Sequence, residues 1–193
     1  MVRWILRRTL SAFERHWNYD ASYLREMIEA SPRAAWLFVR ATRLASYRRD
    51  VPIEALVAAG ITALRSEDCG PCLQLATAMA ERHGVRPETL RAILTDDVAA
   101  MPDAAALAWR FTKAILAHDA AADDYRAVIL ERWGPRAVVT LAFAITTARI
   151  YPTVKYAMGH GRTCARVMVG GAPVAMDRAR SSTPWGPPPG HRT

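Results

Sequence analysis

Apolar residues recur at helical spacing along almost the whole chain, and this periodicity limits the possible folds more than any other feature. In the first segment Val2, Leu6, Leu10, Phe13 and Trp17 follow one another at intervals of three or four residues. That spacing places them on one stripe of an amphipathic helix. No stretch shows sustained two-residue alternation bounded by hairpin turns, so no sheet is expected. The sequence therefore predicts an all-α fold.

Prolines and short polar side chains mark where these helices begin. Ser31 and Pro32 form a cap and first-turn pair, and Asp20 is expected to cap the preceding helix. Further starts are expected at Pro52, Pro87, Pro102, Ala122 and Pro135, and stops near Ala30, Tyr47, His83, Ala117 and Trp133. Pro152 is expected to kink or break the last long helix near Tyr151. The result is a compact bundle of about seven to nine helices.

The 193 residues fit one domain with a segment of different character at each end. Residues 1–19 are assigned to the amphipathic N-terminal helix, 20–169 to the helical domain, and 170–193 to a flexible tail. The tail is rich in Gly, Pro and Ser and has little to bury, which is typical of disorder or of a strap over a partner.

The net charge of +8 lies at the two ends: residues 1–49 carry +6, residues 50–161 carry −2 and residues 162–193 carry +4. Basic ends can contact a polyanion. However, Arg outnumbers Lys 24 to 2, as codon bias alone can produce, and aromatic residues are not interleaved with the arginines in a base-stacking motif. Nucleic acid is not an expected partner. The first helix can lie on a membrane, but docking on the body or on a neighbouring subunit is favoured, since glutamate and histidine interrupt its basic face.

Cysteine usage and hydropathy bear on the compartment. Three cysteines, two of them in one tetrapeptide, do not make a secreted disulfide framework. No run reaches the roughly 18 apolar residues of a membrane span, and threonines interrupt the best candidate at 137–148. The N-terminus has no apolar region followed by a small-residue cleavage site. We therefore expect a cytoplasmic protein without a transmembrane segment.

The tetrapeptide CGPC at residues 69–72 is the strongest chemical signal in the chain. CGPC is the tetrapeptide of thioredoxin active sites, but that fold places it after a β-strand, whereas residues 53–68 have an Ala-rich helical pattern. Cys69 and Cys72, three residues apart on a first helical turn, face the same way and can close a small disulfide ring. The helix N-terminus favours a thiolate. Glu67 and Asp68 oppose it, unless Asp68 is the N-cap.

Two other interpretations of the cysteines stay open. Buried cysteines are common in Ala-rich helix packing, where they are inert. Metal binding requires two further ligands, and Cys164 and the five histidines form no second paired cluster. Cys164 is interpreted as a spectator thiol at a helix end. No metal and no cofactor are expected.

Residues 50–160 resemble the alkylhydroperoxidase D-like, or carboxymuconolactone decarboxylase, superfamily. The resemblance lies in CGPCLQLATAMAERHGVRPETLRAIL, which is similar to the family's Cys-x-x-Cys helix, Gly-Val turn and short acidic helix start, and in the later helices between Leu107 and Gly159. It implies an all-helical bundle of that type, assembly into dimers, trimers or hexamers, and a dithiol that cycles with a disulfide.

The family's proton relay is missing from this chain. In active peroxidases of the family, a glutamate about twelve residues before the first cysteine and a histidine four after the second activate the dithiol; Val57 and Ala76 stand at those positions. Glu54, one turn from Val57, could act through water, although surface solvation is the favoured interpretation. His83 is interpreted as capping the end of its helix. A second candidate site is the polar group around Pro152, namely Tyr151, Lys155, Tyr156 and His160, for which a kink with an ordinary polar surface is the favoured explanation.

The expected function is that of a thiol-disulfide oxidoreductase or weak peroxidase, in which Cys69 and Cys72 are the catalytic residues and an unidentified thiol reductant supplies electrons. The alternative is a non-catalytic helical scaffold or small-ligand-binding protein whose cysteines only pack. The amphipathic first helix offers an interface, so a homo-oligomer is expected.

Overall fold

The computed structural model describes residues 2–161 and 166–175. Within these ranges it contains nine α-helices: α1 (Val2–Trp17), α2 (Ser22–Ala30), α3 (Pro32–Thr42), α4 (Ile53–Ser66), α5 (Gly70–Arg82), α6 (Pro87–Leu94), α7 (Asp103–Ala117), α8 (Ala121–Trp133) and α9 (Pro135–Ala157). Two 3₁₀ turns, Arg43–Ser46 and Val98–Ala100, and two short strands, β1 (Arg166–Val169) and β2 (Ala172–Ala175), complete the described residues. The predicted all-α fold class is confirmed.

The expected start signals operate at several helices. The Ser31 hydroxyl accepts a hydrogen bond from the amide of Ala34 at 3.2 Å and caps α3, as expected. At α2 the N-cap position belongs to Ala21, while the carboxylate of Asp20 accepts the amide of Ser22 at 3.0 Å. Proline occupies one of the first two positions of α3, α5, α6 and α9, where its missing N–H has no intrahelical partner to lose.

Three expectations differ from the structure: the cap at Asp20, a break at Pro152, and the absence of a sheet. Pro152 does not break α9, which continues to Ala157 with Pro152 buried inside it. The expected absence of a sheet fails because β1 and β2 pair antiparallel. Gly170 and Gly171, both with positive φ, form the two-residue turn between them, a conformation that glycine adopts without strain. This hairpin reaches into the segment assigned to the tail; Cys164 and residues 176–193 lie outside the described residues.

The buried apolar residues form two clusters. The larger one, which we call the main core, joins α4 to α9 and the hairpin. The smaller one, which we call the N-terminal cluster, is built by Leu10, Tyr19, Ala21, Tyr23, Ile28 and Ala35. The apolar stripe of α1 therefore packs on α2 and α3 within the same chain, with Leu6, Phe13 and Trp17 half-buried against this cluster.

Helix α9 is the one helix in the described part of the chain that is long and apolar enough to cross a membrane by length and composition alone. It packs against α4 and α8, and 33% of its most apolar 18-residue window is buried inside the structure.

Candidate functional site

The two cysteines of the CGPC motif lie at the beginning of α5 and form a disulfide. Cys69 is the N-cap residue of the helix and Cys72 lies in its first turn. Their Cα atoms are 5.4 Å apart, within the ordinary range for a disulfide. Both side chains are buried, with 4% and 5% of their surfaces exposed. The structure thus places both predicted site residues together, at a helix N-terminus and beneath the surface.

The acidic residues before the motif do not cap α5. Asp68 has a positive φ of 49° and precedes the N-cap residue, so its interpretation as the N-cap is wrong. Its carbonyl oxygen accepts a hydrogen bond from the hydroxyl of Tyr156 at 2.8 Å, which ties α9 to the motif. Glu67 forms an ion pair with Arg149 of α9. The negative charge of Glu67 is therefore compensated by a cation rather than directed at the sulfurs.

A cavity of about 540 Å³ lies where the N-terminal cluster meets the main core. We call it the Cys72 cavity, because Cys72 belongs to its wall and Cys69 does not. The wall is mostly apolar and includes Leu6, Leu10, Phe13, Ile28, Phe38, Leu56, Ile61, Leu75, Met79 and Ala148. Its volume is within the range of roughly 300–1,000 Å³ that is usual for small-molecule sites. Of the two sulfurs, that of Cys72 is the one that a molecule in the cavity can approach.

The nearest polar group to Cys72 in the cavity wall is the hydroxyl of Tyr19. Its oxygen lies 3.7 Å from Cys72 Sγ, within hydrogen-bonding range for sulfur. Tyr19 follows the end of α1 and is buried, with 7% of its surface exposed. Burial raises the pKa of Tyr19, since a phenolate is poorly solvated in an apolar environment. Tyr19 therefore keeps its proton at neutral pH, and its O–H group can donate a hydrogen bond to a sulfur anion.

Lys155 lies over the ring of Tyr19. Its ammonium nitrogen is 5.1 Å from the ring centre of Tyr19 and 5.7 Å from that of Tyr23, and only 4% of its surface is exposed. Burial lowers the pKa of Lys155, and the charge of Asp20 opposes this in part. Among the described residues no carboxylate forms an ion pair with it. The aromatic faces are its main partners.

The polar group around Pro152 thus belongs to the same site as the cysteines. Tyr151 lines the Cys72 cavity, and the ring of His160 packs at 6.5 Å from that of Tyr23. His160 Nε2 also lies 2.8 Å from a carboxylate oxygen of Glu26. The two candidate sites that the sequence treats separately meet through Tyr151, which lines the cavity, and through Lys155, which lies over the ring of Tyr19.

The positions of the missing proton relay also face this site. Val57 of α4 and Ala76 of α5 both line the Cys72 cavity. Glu54 is absent from the wall, and His83, the C-cap residue of α5, lines the cavity from an exposed position. The place where the resemblance puts a glutamate and a histidine is here an apolar surface.

Sequence reasoning did not identify Tyr19 and Tyr23. They lie in the short connection and first turn between α1 and α2, and no motif marks a tyrosine there as functional. Only the packing of the N-terminal cluster onto α5 and α9 brings them to Cys72. Within the described ranges no group of three or more His, Cys, Asp or Glu side chains is placed to hold a metal ion.

No family model, curated protein or solved structure matches this chain.

Proposed function

We propose that the protein is a thiol-disulfide oxidoreductase or weak peroxidase that works through Cys69 and Cys72, as the resemblance to alkylhydroperoxidase D-like proteins implies. The observation that supports this most is the position of the pair. The disulfide lies at a helix N-terminus, and one of its sulfurs forms part of a cavity wall beside a protonated tyrosine. A purely structural pair of cysteines has no need of a cavity.

The proposed reaction is a two-electron exchange. When a peroxide ROOH is the oxidant, the Cys72 thiolate attacks the terminal oxygen and the O–O bond breaks. The alkoxide RO⁻ leaves and takes a proton from solvent to give ROH, and Cys72 is left as a sulfenic acid. The Cys69 thiolate then attacks that sulfur, the S–O bond breaks, and water leaves once hydroxide is protonated. A thiol reductant restores the dithiol through a mixed disulfide and is itself oxidised.

The neighbouring side chains have supporting roles in this proposal. The hydroxyl of Tyr19 donates a hydrogen bond to the Cys72 thiolate and so favours the reactive form. Lys155 acts through Tyr19, because its ammonium group lies over the aromatic ring at 5.1 Å from the ring centre. We expect these groups to activate the Cys72 thiolate less than the missing relay would, so the proposed peroxidase activity is low.

Thiol counting after oxidation tests the proposal. In the C164S background, each chain should have two titratable thiols after reduction and none after one equivalent of hydrogen peroxide. Intact-mass measurement should show a loss of two hydrogens, which corresponds to the disulfide. If both thiols survive stoichiometric oxidant, the proposed function is wrong.

A non-catalytic scaffold with structural cysteines is the second candidate, and the burial of both sulfurs favours it. The C69S/C72S double variant separates the two candidates. A lower unfolding temperature without any redox phenotype indicates packing alone. Unchanged folding with loss of the peroxide consumption that a thiol reductant sustains in wild type indicates chemistry.

A further inference from the structure

The Cys72 cavity has an uneven distribution of charge. Among the described residues that form its wall there is no aspartate and no glutamate. Arg48, which follows the 3₁₀ turn after α3, is the one wall residue that is cationic at any physiological pH. It is exposed, and its only side-chain hydrogen bond within the described part of the chain goes from Nε to the carbonyl of Ala45 at 3.3 Å.

The apolar part of the wall is larger than a small peroxide requires. The cavity extends from α1 and α3 to α4, α5 and α9, and the two wall positions that the resemblance assigns to charged or polar groups are occupied by Val57 and Ala76. Apolar walls favour apolar ligands, because burial of hydrocarbon releases roughly 25 cal/mol for each Å² removed from water. A ligand suited to this site has a hydrocarbon part and one negatively charged end.

We propose that the Cys72 cavity binds an aliphatic carboxylate of the fatty-acid class. The hydrocarbon chain lies between the N-terminal cluster and the main core, and the carboxylate is held at the exposed guanidinium of Arg48, which can bind it through two parallel hydrogen bonds. This site goes beyond the redox function and does not depend on turnover at the dithiol. Occupancy would cover the Cys72 sulfur from the cavity side.

Fluorescence titration with cis-parinaric acid, a fatty acid whose emission increases in apolar surroundings, tests the site on the full-length chain. We expect saturable binding and displacement by hexadecanoic acid. Arg48→Gln should weaken binding about tenfold, the effect of losing a charge-assisted hydrogen bond of roughly 1.4 kcal/mol. Arg49→Gln is the matched control, since Arg49 is also exposed but is not part of the wall. Hexadecanol carries no charge, so its inhibition constant, corrected for the affinity of the probe, should be the same for wild type and Arg48→Gln.

A second pair of variants tests the location of the chain. Ala76→Phe should fill the cavity and weaken binding by about tenfold or more. Ala78→Phe, on the same helix and also half-buried but outside the wall, should leave binding unchanged. Circular dichroism and the unfolding temperature of each variant establish that it is folded. If Ala76→Phe does not fold, Ala148→Phe tests the same wall from α9.

Four results would overturn the proposal: no saturable binding to wild type, equal losses in Arg48→Gln and Arg49→Gln, equal losses in Ala76→Phe and Ala78→Phe, or binding only after residues 176–193 are deleted. The C69S/C72S variant keeps this test separate from the proposed function. Probe binding should persist in it, because the cavity wall loses no more than one sulfur. Wild-type protein that binds the probe but keeps both thiols after stoichiometric peroxide contradicts only the proposed redox function. Wild-type protein that forms the disulfide but shows no saturable probe binding contradicts only the proposed fatty-acid site.

Discussion

Tyr19 and Cys72 are 53 residues apart in the chain, yet the Tyr19 hydroxyl oxygen lies 3.7 Å from Cys72 Sγ. A buried hydroxyl beside a sulfur affects its ionisation more than a distant charge does, because the surrounding hydrocarbon does not screen it. The chemistry at this residue scale therefore depends on side chains that only the tertiary fold assembles.

Replacing Tyr19 with Phe should raise the pKa of the Cys72 thiol in the reduced protein by about one unit, since a hydrogen bond to a charged group contributes roughly 1.5–3 kcal/mol and water recovers part of it. The pH dependence of iodoacetamide alkylation, followed by mass spectrometry of the peptide that contains Cys72, measures the shift. Tyr47→Phe is a suitable control, because Tyr47 packs on Phe143 and does not line the cavity. Identical titration curves for Tyr19→Phe and wild type would contradict the assigned role.

Lys155 should give the protein a measurable pH dependence of stability. Burial lowers its folded-state pKa below the ordinary 10.5, so between these two values the unfolded chain binds more protons than the folded chain. The free energy of unfolding of wild type should therefore rise with pH in that interval, relative to Lys155→Met. Urea unfolding of both proteins at several pH values up to about 10 measures the difference.

The comparison between two proteins removes the contribution of the other titrating groups near Lys155. Tyr19, Tyr23 and Tyr151 have pKa values raised by burial, and they are present in both proteins, as are Asp20 and His160. Parallel stability curves for wild type and Lys155→Met would contradict the lowered pKa.

The sequence predicts only part of the site. Cys69 and Cys72 could be assigned because their spacing and the following helix are local features. Val57 and Ala76 could be placed only through the resemblance, and Tyr19 could not be found, since nothing in residues 18–23 distinguishes a functional tyrosine from a core one. Lys155 was noted, but its relation to the disulfide depends on how α9 packs.

At the scale of elements, hydrogen bonds from side chains of α5 and α6 hold the hairpin, which is not part of a larger sheet among the described residues. The amide group of Gln74 accepts the N–H of Met168 at 2.6 Å and donates to its carbonyl at 3.3 Å. Arg91 donates to the carbonyl of Val169 at 3.1 Å. Val167 and Val169 are fully buried beneath. Gln74 thus pairs with the strand as a neighbouring backbone would.

Gln74→Ala should lower the free energy of unfolding by about 1–3 kcal/mol, because two backbone groups of β1 lose their partner. Chemical denaturation monitored by circular dichroism measures the change. Arg110→Ala on the exposed surface of α7 is the control and should change stability by less than about 0.5 kcal/mol. A Gln74→Ala variant as stable as this control would show that the buried valines and the hydrogen bond from Arg91 hold the hairpin without Gln74.

In two elements, the tertiary structure differs from what the local sequence predicts. Pro152 removes one helical hydrogen bond from α9, but the helix continues to Ala157, and Val154 beyond the proline packs against the N-terminal cluster. In the hairpin, Val167 and Val169 point inward and Met168 points outward, and a Gly-Gly turn joins the strands. Strands of only four residues are nevertheless too short for this alternation to be recognised in the sequence. Starts such as Ser31 and Pro135 were predictable because caps and prolines act within a single turn.

On the scale of the whole molecule, the surface of α1 and α3 carries exposed large apolar side chains, including Trp4, Ile5, Trp36 and Leu37. Arg8 lies over the ring of Trp4 and Arg40 over that of Trp36. Exposed aromatic and arginine side chains are enriched in protein interfaces. The expected homo-oligomer remains a prediction, and this surface is where we place its contact.

Trp36→Glu should weaken self-association at least about tenfold, because a carboxylate would be buried without a partner. Sedimentation velocity over a range of concentrations measures the change. Leu130→Glu, at an exposed apolar position on α8, should leave the association state unaltered. Equal sedimentation of wild type and Trp36→Glu would place the contact elsewhere.

The division of the interior into two clusters has a consequence for how anything reaches Cys72. Helices α1 to α3 pack chiefly on one another and meet the rest of the chain at Leu75, Val154 and Met158 and in a few side-chain contacts, such as that of Glu26 with His160. We therefore expect this N-terminal quarter of the chain to separate locally from the main core at a lower free energy than global unfolding requires. Entry and departure of a molecule would then depend on that local opening as well as on the reactivity of the sulfur.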